Sequence, residues 1–468
     1  MKYFDIPKGT RDFSSIEINN RNFIINIIQN QFELFGFQPI ETPSFEKTSI
    51  INGNYGEEGN SLIFRILNSG DVLKKKISDF LKSIKNLDKQ NISSNVSDIL
   101  TQYVSDKVLR YDLTVPLIRY IVMYKKQILF PFKRYQIQPV WRADKPQKGR
   151  FREFYQCDSD IISFHPSLWE EIELIQLGNS IFTKLNLPII IYINHIDVLK
   201  GLIEISGIQK KFWKQFIICL DKWNKIGQEL VKKEMKSKGM SSKSLDKISH
   251  FLNMKTSFHE IYEDLYIAFE NSNSGKKGID ELYFIFKMIK HVSRKHIKLK
   301  WSLSLSRGMN YYTGIIWEMV PDNDMNEYSI GGGGRYNLSH FFGKKNVSGT
   351  GFSLGLDRIY LSMVQNNLFK KNINFCSSKI LFINFGHKEV LHAYSIINFL
   401  REKGISTQLY PNNIRIGKQF KYAKKQNIPF VIIIGKNEIK NNKIKVKYIK
   451  EQLEKEYNNI HDLLKDLF

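Results

Sequence analysis

Apolar positions along the chain recur with two periods, and the switches between them divide it into segments. Residues 20–35 repeat at helical spacing, and FGFQPIETPSFE after them reads as an extended run. Residues 68–104 are polar, rich in Lys, Ser and Asn and weakly amphipathic, which predicts an inserted helical or partly mobile excursion. From Leu109 the pattern becomes dense, through RYDLTVPLIRYIV, FKRYQIQPVWR and RFREFYQCDSDII. A helix is expected over 167–186 and a buried strand over 187–194. Residues 198–290 read as a Lys/Glu-rich helical insertion with breaks at SKGMSSKS and ENSNSGKKG. Strand-like, glycine-rich sequence returns at WSLSLSRGMNYYTGIIWEMV and YSIGGGGRY, and GTGFSLGLDRIYLSMV reads as a strand entering a helix. Beyond Cys376 short strands and helices alternate, which predicts a small α/β domain over 377–468. We find no internal repeat.

Alternation sorts the residues of the densest segment, because successive strand side chains point to opposite faces. Over 134–142, Tyr135, Ile137, Pro139 and Trp141 form an apolar back, with Arg134, Gln136, Gln138, Val140 and Arg142 on the front. Over 150–160, Arg150, Arg152, Phe154, Gln156, Asp158 and Asp160 share one face, and Phe151, Tyr155, Cys157 and Ile161 mostly share the other. Pro146 and Gly149 mark ADKPQKG as the loop between two antiparallel strands. A front of Arg, Gln, Phe and Asp suits a ligand carrying phosphates, a ring and an amine, since guanidinium forks match phosphate oxygens. A solvated sheet face is the plainer alternative.

Composition narrows the setting. The chain has 468 residues, 42% hydrophobic and 25% charged, as expected of a multidomain globular protein. No apolar run approaches the ~18 residues of a membrane span, and the N-terminal MKYFDIPKGTRDF offers no apolar targeting core, so we expect a cytoplasmic protein without membrane association. Three scattered cysteines without CxxC spacing predict neither a disulfide framework nor a zinc site. The net charge of +24 suggests a polyanionic partner, although Lys, Asn and Ile are abundant everywhere and much of that charge is ordinary surface.

Other clusters carry candidate chemistry. In RGMNYYTGIIWE (307–318) two glycines flank tyrosines able to offer both apolar wall and hydroxyl. GGGGRY (331–336) lacks the Lys-Ser/Thr of a Walker A loop and reads instead as a strand that lets a ligand lie against the backbone. GFSLGLDRI places Arg358 just inside a helix, as a site residue or a structural arginine. In YDLTVP, Asp112 and Thr114 stand two apart, on one strand face suited to an ammonium group or at a turn. No Ser/His/Asp or Cys/His pairing emerges, and the ten histidines form no metal-ligand cluster. The chemistry read here is positioning and charge stabilisation around phosphates.

These blocks, in this order, resemble the class II aminoacyl-tRNA synthetases, specifically the histidyl-tRNA synthetase family. The matching stretches are PKGTRDF (7–13), FGFQPIETPSFE (35–46), RYDLTVPLIRY (110–120), the hairpin at 133–160, RGMNYYTG (307–314), GGGGRY and GFSLGLDRI, with IGKQFKYAKKQNIPFVIIIG (416–435) similar to the family's anticodon-binding domain. The resemblance implies an α/β (α+β) catalytic domain over 1–376, built on a mostly antiparallel sheet with flanking helices and interrupted at about 68–104 and 198–290. An anticodon-binding α/β domain follows over 377–468.

It also implies roles. Arg142 would contact the α-phosphate and the histidine carboxylate, Asp144 would lie near adenine, and Arg150 would reach the β- and γ-phosphates. Phe154 and Arg358 would pack on the two adenine faces. Asp112, Thr114 and Gln156 match residues that hold the α-amine; Asp160 and Tyr312, with Tyr311 beside them, match those that grip the imidazole. Arg307 matches the family's catalytic arginine, and Gln147 a position that reads the extra 5′ guanosine of tRNA(His). The implied reaction joins L-histidine and ATP to histidyl-adenylate and pyrophosphate, then transfers the acyl group to the 3′-terminal ribose of tRNA(His). Mg²⁺ would arrive on the ATP phosphates, with no metal ligands of the protein's own, and the similarity of 35–46 to motif 1 implies a homodimer. Asn310 and Asn337 depart from the Asp common in the family. The rival is a non-catalytic paralogue, the histidine-sensing regulatory subunit of ATP phosphoribosyltransferase, which lacks the C-terminal domain; a pure RNA-binding protein would need no histidine pocket.

Overall fold

The computed structural model describes residues 4–51, 61–85, 100–101, 103–220, 222–252, 257–293, 297–306, 312–322, 328–343, 347–369 and 378–467. Arg307, Asn310 and Tyr311 fall outside these, as does the 86–99 part of the polar excursion. The chain divides into two compact units, one up to Leu368 and one from Phe369.

The first unit is organised by an eight-stranded sheet. In chain order its strands, with those of a small side sheet, are β1 (Gln38–Pro39), β2 (Phe45–Lys47), β3 (Arg65–Ile66), β4 (Lys107–Leu109), β5 (Phe132–Trp141), β6 (Glu153–Ser163), β7 (Ile189–His195), β8 (Leu299–Trp301), β9 (Tyr312–Pro321), β10 (Gly331–Asn337) and β11 (Ser348–Gly355). The main sheet runs β1-β5-β6-β11-β10-β9-β7-β8, while β2, β4 and β3 pair separately. Only the outermost pairs β1–β5 and β7–β8 are parallel; the centre is antiparallel throughout.

The helix Ser15–Leu34 covers the back of this sheet. Its start is set by a capping box: Ser14 accepts from the Glu17 amide, and Glu17 accepts from the Ser14 amide. That signal lies upstream of the apolar run, so the periodicity alone starts the helix too late. Its apolar stripe Ile24, Ile28 and Phe32 is fully buried, each side chain contributing about 1.5–3 kcal/mol, and Phe32 meets Tyr135 and Phe352 of the sheet. A buried ion pair from Arg21 to Asp357 ties it to the helix Leu356–Gln365.

The helical stretch after β7 differs from the expected insertion at its ends. The helices Ile196–Ser206 and Asn273–Val292 pack on each other and on β9, as part of the crossover from β7 to the parallel strand β8. A parallel pair needs such a crossover, so these two helices belong to the sheet's own layer and only the helices between them are inserted.

The second unit is a five-stranded mixed sheet. Ile380–Phe382 runs parallel to Thr407–Leu409 and Phe430–Ile433, and Ile444–Tyr448 and Glu454–Tyr457 extend it antiparallel. The last strand has no apolar alternation, EKEY, and is held by Lys447 and Lys445 across from Glu454. That is why hydrophobic patterning passes over it.

The glycines of β10 and β11 answer to the neighbouring strands. A Cβ on Gly333 would lie 1.9 Å from the Gly351 carbonyl oxygen, which is backbone and cannot swing aside. Gly333→Ala is therefore expected to destabilise the first unit by about 3 kcal/mol or more. Gly417→Ala, in a helix with open space around it, should instead stabilise the second unit by ~0.5 kcal/mol. Thermal melts of the two variants check both signs.

Candidate active site

The front of β5 and β6 carries the candidate site. Register sets Arg134 opposite Asp160, Gln136 opposite Asp158 and Gln138 opposite Gln156. On the other side of β6, Gly351 stands beside Asp160 and Ser353 beside Asp158. This polar front is not the solvated sheet face of the plainer alternative, for Arg134, Gln136, Asp158 and Asp160 are each at most 4% exposed. On the back, Tyr135, Cys157, Ser159 and Ile161 are buried as well, with Phe32 of the Ser15–Leu34 helix against Tyr135. Alternation stops at Glu153, where β6 begins, so Arg150 lies in the turn and Arg152 leaves the face to hold the carbonyls of Asp144 and Lys8.

Asp160 is gripped from two strands. Arg134 Nη2 stands 2.6 Å from its Oδ2, and the Tyr336 hydroxyl donates to its Oδ1 at 2.6 Å. Burial raises the carboxyl's pKa and the guanidinium opposes that rise. Arg335, one residue before Tyr336, points the opposite way and makes a two-pronged pair with buried Glu171 at 2.5–2.6 Å. GGGGRY thus anchors both faces of β10. Two of the glycines expected to admit a ligand have their Cβ space filled from within the sheet: a Cβ on Gly331 would lie 2.4 Å from Leu354 Cδ2, and one on Gly333 1.9 Å from the Gly351 carbonyl oxygen. On β11 a Cβ on Gly351 would likewise lie 2.1 Å from Asp160 Oδ1.

Asp158 is less well served. Ser353 hydrogen-bonds its carboxylate, yet Oδ1 has no partner among the described residues. Burial pushes its pKa up to about 7; Arg134 lowers it, while Asp160 and Asp112 push it further up. Gln156 donates to the Ser353 hydroxyl at 2.7 Å, which leaves its Oε1 buried and unpartnered too.

Asp112 and Thr114 do not share a strand face. Thr114 opens the helix Thr114–Tyr124, and Asp112 Oδ1 accepts from the amides of Thr114 and Val115, capping the helix start. The Leu113 carbonyl between them is reached by Arg134 at 3.5 Å, and Asp112 acts electrostatically on both Asp158 and Asp160. Asp112 thus follows the second of the two expected readings, at a turn, and still stands near the β6 carboxylates.

Arginines gather at the open end of the hairpin. Arg142 donates to the Tyr111 carbonyl at 3.0 Å and lies between the Tyr111 and Phe154 rings, 4.2 and 5.2 Å from their centroids. Arg150 is exposed, 3.9 Å from Asp144. The turn Gln147–Arg150 has Gly149 at φ +72°, and Arg358 holds it by donating to the Gly149 carbonyl at 3.1 Å and to the Ser329 carbonyl at 2.7 Å. Gln147 itself is exposed. Tyr312 pairs with Tyr336 in the sheet. Asn337 accepts from the Ser339 amide at 2.7 Å, a role an Asp fills equally.

Arg307 and Tyr311 lie outside the described residues. The structure brings Asp112, Gln156 and Asp160 together around Asp158 and gathers Arg142, Asp144, Arg150, Phe154 and Arg358 about the open end of the hairpin, while Thr114 follows Leu113, whose carbonyl Arg134 reaches. Sequence reasoning assigned no role to Arg134, Tyr336, Ser353 or Asp158. Alternation had put Arg134 and Asp158 on the front; what it lacks is the register that turns Arg134 and Tyr336 toward Asp160.

A mostly antiparallel sheet whose central hairpin runs from buried acids to exposed arginines, joined to a small α/β unit, is the architecture of a class II aminoacyl-tRNA synthetase. The family profile described as Histidyl-tRNA synthetase matches residues 86–359, and that of the Anticodon binding domain matches 379–467. The Histidine--tRNA ligase of Christiangramia forsetii is 49% identical over 98% of this chain and 99% of its own length, and that of Flavobacterium johnsoniae 46% over 94% of each. A crystal structure of histidyl-tRNA synthetase from Nostoc sp. PCC 7120 superposes with a TM-score of 0.79 at 25% identity, covering 100% of this chain and 99% of that one. A Bacillus halodurans structure titled ATP phosphoribosyltransferase regulatory subunit/histidyl-tRNA synthetase shares the fold at a TM-score of 0.70, with 19% identity over 92% of this chain and 98% of that one. The chain belongs to the histidyl-tRNA synthetase family.

The raised Asp158 carboxyl has a stability consequence. Its folded pKa, about 7 against 3.8, means the folded state holds this proton more tightly than the unfolded chain. Its contribution is thus fully present below pH ~4 and is lost as pH rises to ~7, ~4 kcal/mol in all at ~1.4 kcal/mol per unit. Asp158→Asn does not ionise. The ligand-free variant should therefore melt above wild type at pH 8, with the gap shrinking steadily toward pH 5. Melting curves across that range, with Arg134, Asp160 and Asp112 unchanged, provide the check.

Proposed function

We infer that the chain is a histidine–tRNA ligase, which activates L-histidine with ATP and transfers it to tRNA(His). The observation that carries this reading is the sorting of charge along one hairpin. The buried end holds Asp158 and Asp160, and the open end holds Arg142 and Arg150. An amino acid fits with its cationic groups inward and its carboxylate toward the arginines, where the α-phosphate of ATP must meet it. The chemistry then needs no protein nucleophile: in-line attack by the histidine carboxylate expels pyrophosphate, and preorganised positive charge stabilises the transition state.

In that reading Arg142 binds the α-phosphate and the histidine carboxylate, together with Arg307. Arg150 takes the outer phosphates, and Asp144 stands by the adenine edge. Phe154 and Arg358 enclose the ring, Phe154 moving off Arg142 as it does so. Asp112, Thr114 and Gln156 hold the α-amine, and Asp160 with Tyr312 and Tyr311 selects the imidazole. Buried polar groups that pair with a substrate reject analogues lacking them by up to ~10⁴-fold. Gln147, exposed on the hairpin turn, is offered to the tRNA. Mg²⁺ would come with ATP and neutralise its phosphates.

The second unit binds the anticodon stem in this reading, with Lys418, Lys421, Lys424 and Lys425 exposed on the helix Ile416–Lys425 for phosphate contact. Its presence argues against the histidine-sensing paralogue. No helix among the described residues is long and apolar enough to cross a membrane, which agrees with a cytoplasmic enzyme. A homodimer would cover Phe45, Met123 and Tyr124, exposed apolar side chains on β2 and on the helix Arg119 ties to it through Glu46.

Purified protein with magnesium should catalyse histidine-dependent ATP–pyrophosphate exchange, and Arg142→Ala or Arg307→Ala should reduce kcat by about 10²-fold or more. Absence of exchange in the wild type would sink the catalytic reading. Light scattering should give twice the chain mass, and a monomer would remove the dimer.

A further inference from the structure

On the front of β6, two buried acceptors have nothing to accept from among the described residues. Gln156 Oε1 and Asp158 Oδ1 belong to residues 8% and 3% exposed, two positions apart and hence on one face. Their orientation is fixed by a relay through Ser353. The Gln156 amide nitrogen donates to the Ser353 hydroxyl, which in turn serves the Asp158 carboxylate. Because Ser353 has one proton to give, the relay runs one way and leaves Gln156 Oε1 and Asp158 Oδ1 as acceptors without a donor among the described residues.

The donor opposite is committed elsewhere, and Arg134 keeps only its buried Nε without a partner among the described residues. Gln136, opposite Asp158, donates to Thr42 Oγ1 at 2.8 Å and to Gln138 Oε1 at 2.5 Å. Arg134 spends its Nη2 on Asp160. Asp160 already accepts from both Arg134 and Tyr336, whereas Asp158 keeps a whole oxygen open. Leaving a buried acceptor unmade costs about 1–3 kcal/mol, more when it is charged, so such atoms are retained where a ligand supplies the donor. Two acceptors converging from adjacent front positions call for one group with several N–H bonds and positive charge.

We propose that Asp158 is a substrate-binding residue of the amino-acid site, whose Oδ1 accepts, together with Gln156 Oε1, from the α-ammonium group of histidine. This rests on the histidine-activating function proposed above. It adds to the pocket a carboxylate that the family resemblance left without a role, and it assigns Asp160 mainly to the Arg134–Tyr336 lock and the imidazole.

The test compares wild type with Asp158→Asn, a substitution of the same shape. Histidine KM, ATP KM and kcat are read by pyrophosphate exchange. Inhibition is read with histidinol, which keeps the ammonium and lacks the carboxylate, and with imidazole propionate, which lacks the ammonium. Expected are increases of about tenfold or more in histidine KM and histidinol Ki, the scale of a hydrogen bond to a charged group, with ATP KM and the imidazole propionate Ki within twofold. Unchanged histidinol inhibition, or equal weakening toward all three ligands, would overturn the assignment, the latter marking a structural role. Histidinol binding is also measured by calorimetry. A wild type inactive in exchange would then count against the catalytic reading, while the ratio of histidinol affinities still judges Asp158.

Discussion

Everything at the centre of the catalytic sheet is arranged around one buried ion pair, Arg134 with Asp160. Both partners are out of water, and Tyr336 completes the carboxylate's shell. Withdrawing two charges from solvent costs several kcal/mol each, so the pair is tolerable only with excellent geometry. That geometry is bought by the glycines: β11 must come close enough to Asp160 that Gly351 has no room for a methyl. Tyr336 must in turn be delivered by β10, whose Gly333 lets β11 pass just as closely. The unusual run GGGGRY, the GTG of β11 and the paired charges of β5 and β6 are one solution to one packing problem.

The lock leaves an imbalance beside it. Asp158, Asp160 and Asp112 all act on one another's charge, and Arg134 is the cation that both β6 carboxylates feel. In a chain of net charge +24, a buried acidic pocket is a local inversion that surface composition does not explain. It destabilises the fold, and under the function proposed above a cationic substrate would relieve it, the usual conflict between stability and function at binding sites. Surface lysines, by contrast, act through a screened, long-range field.

How far the sequence reveals this depends on the range of each interaction. Local rules did well: alternation identified β5 and β6, and the strand–helix join at Gly355 lies where the apolar pattern changes. They failed where a residue's direction is set from elsewhere. Arg152 leaves the front because the Lys8 and Asp144 carbonyls draw it, and Thr114 leaves the strand because Asp112 can cap a helix just there. Arg134 was visible on the right face, but its partner lies across a register spanning a loop. Likewise the fifth strand of the second unit is held by Lys–Glu pairs across strands, which leave no hydrophobic trace.

The segment Arg110–Tyr111–Asp112 shows how little regular structure is needed to join the two halves of the site. Arg110 is wholly buried and spreads its donors over the carbonyls of Pro139 and Thr42 and the side chain of Gln138, at 2.7–3.0 Å. Burial pulls its pKa down only to about 10, so it stays charged at neutral pH. A lysine, with one nitrogen, could not reach three acceptors in one plane. Pinned this way, the next residue holds Arg142 at the basic end through its carbonyl and ring, and the one after starts a helix at the acidic end. Three consecutive residues thus fix the distance between the basic and acidic ends of the hairpin, and in the proposed function the length of amino acid that can bridge them.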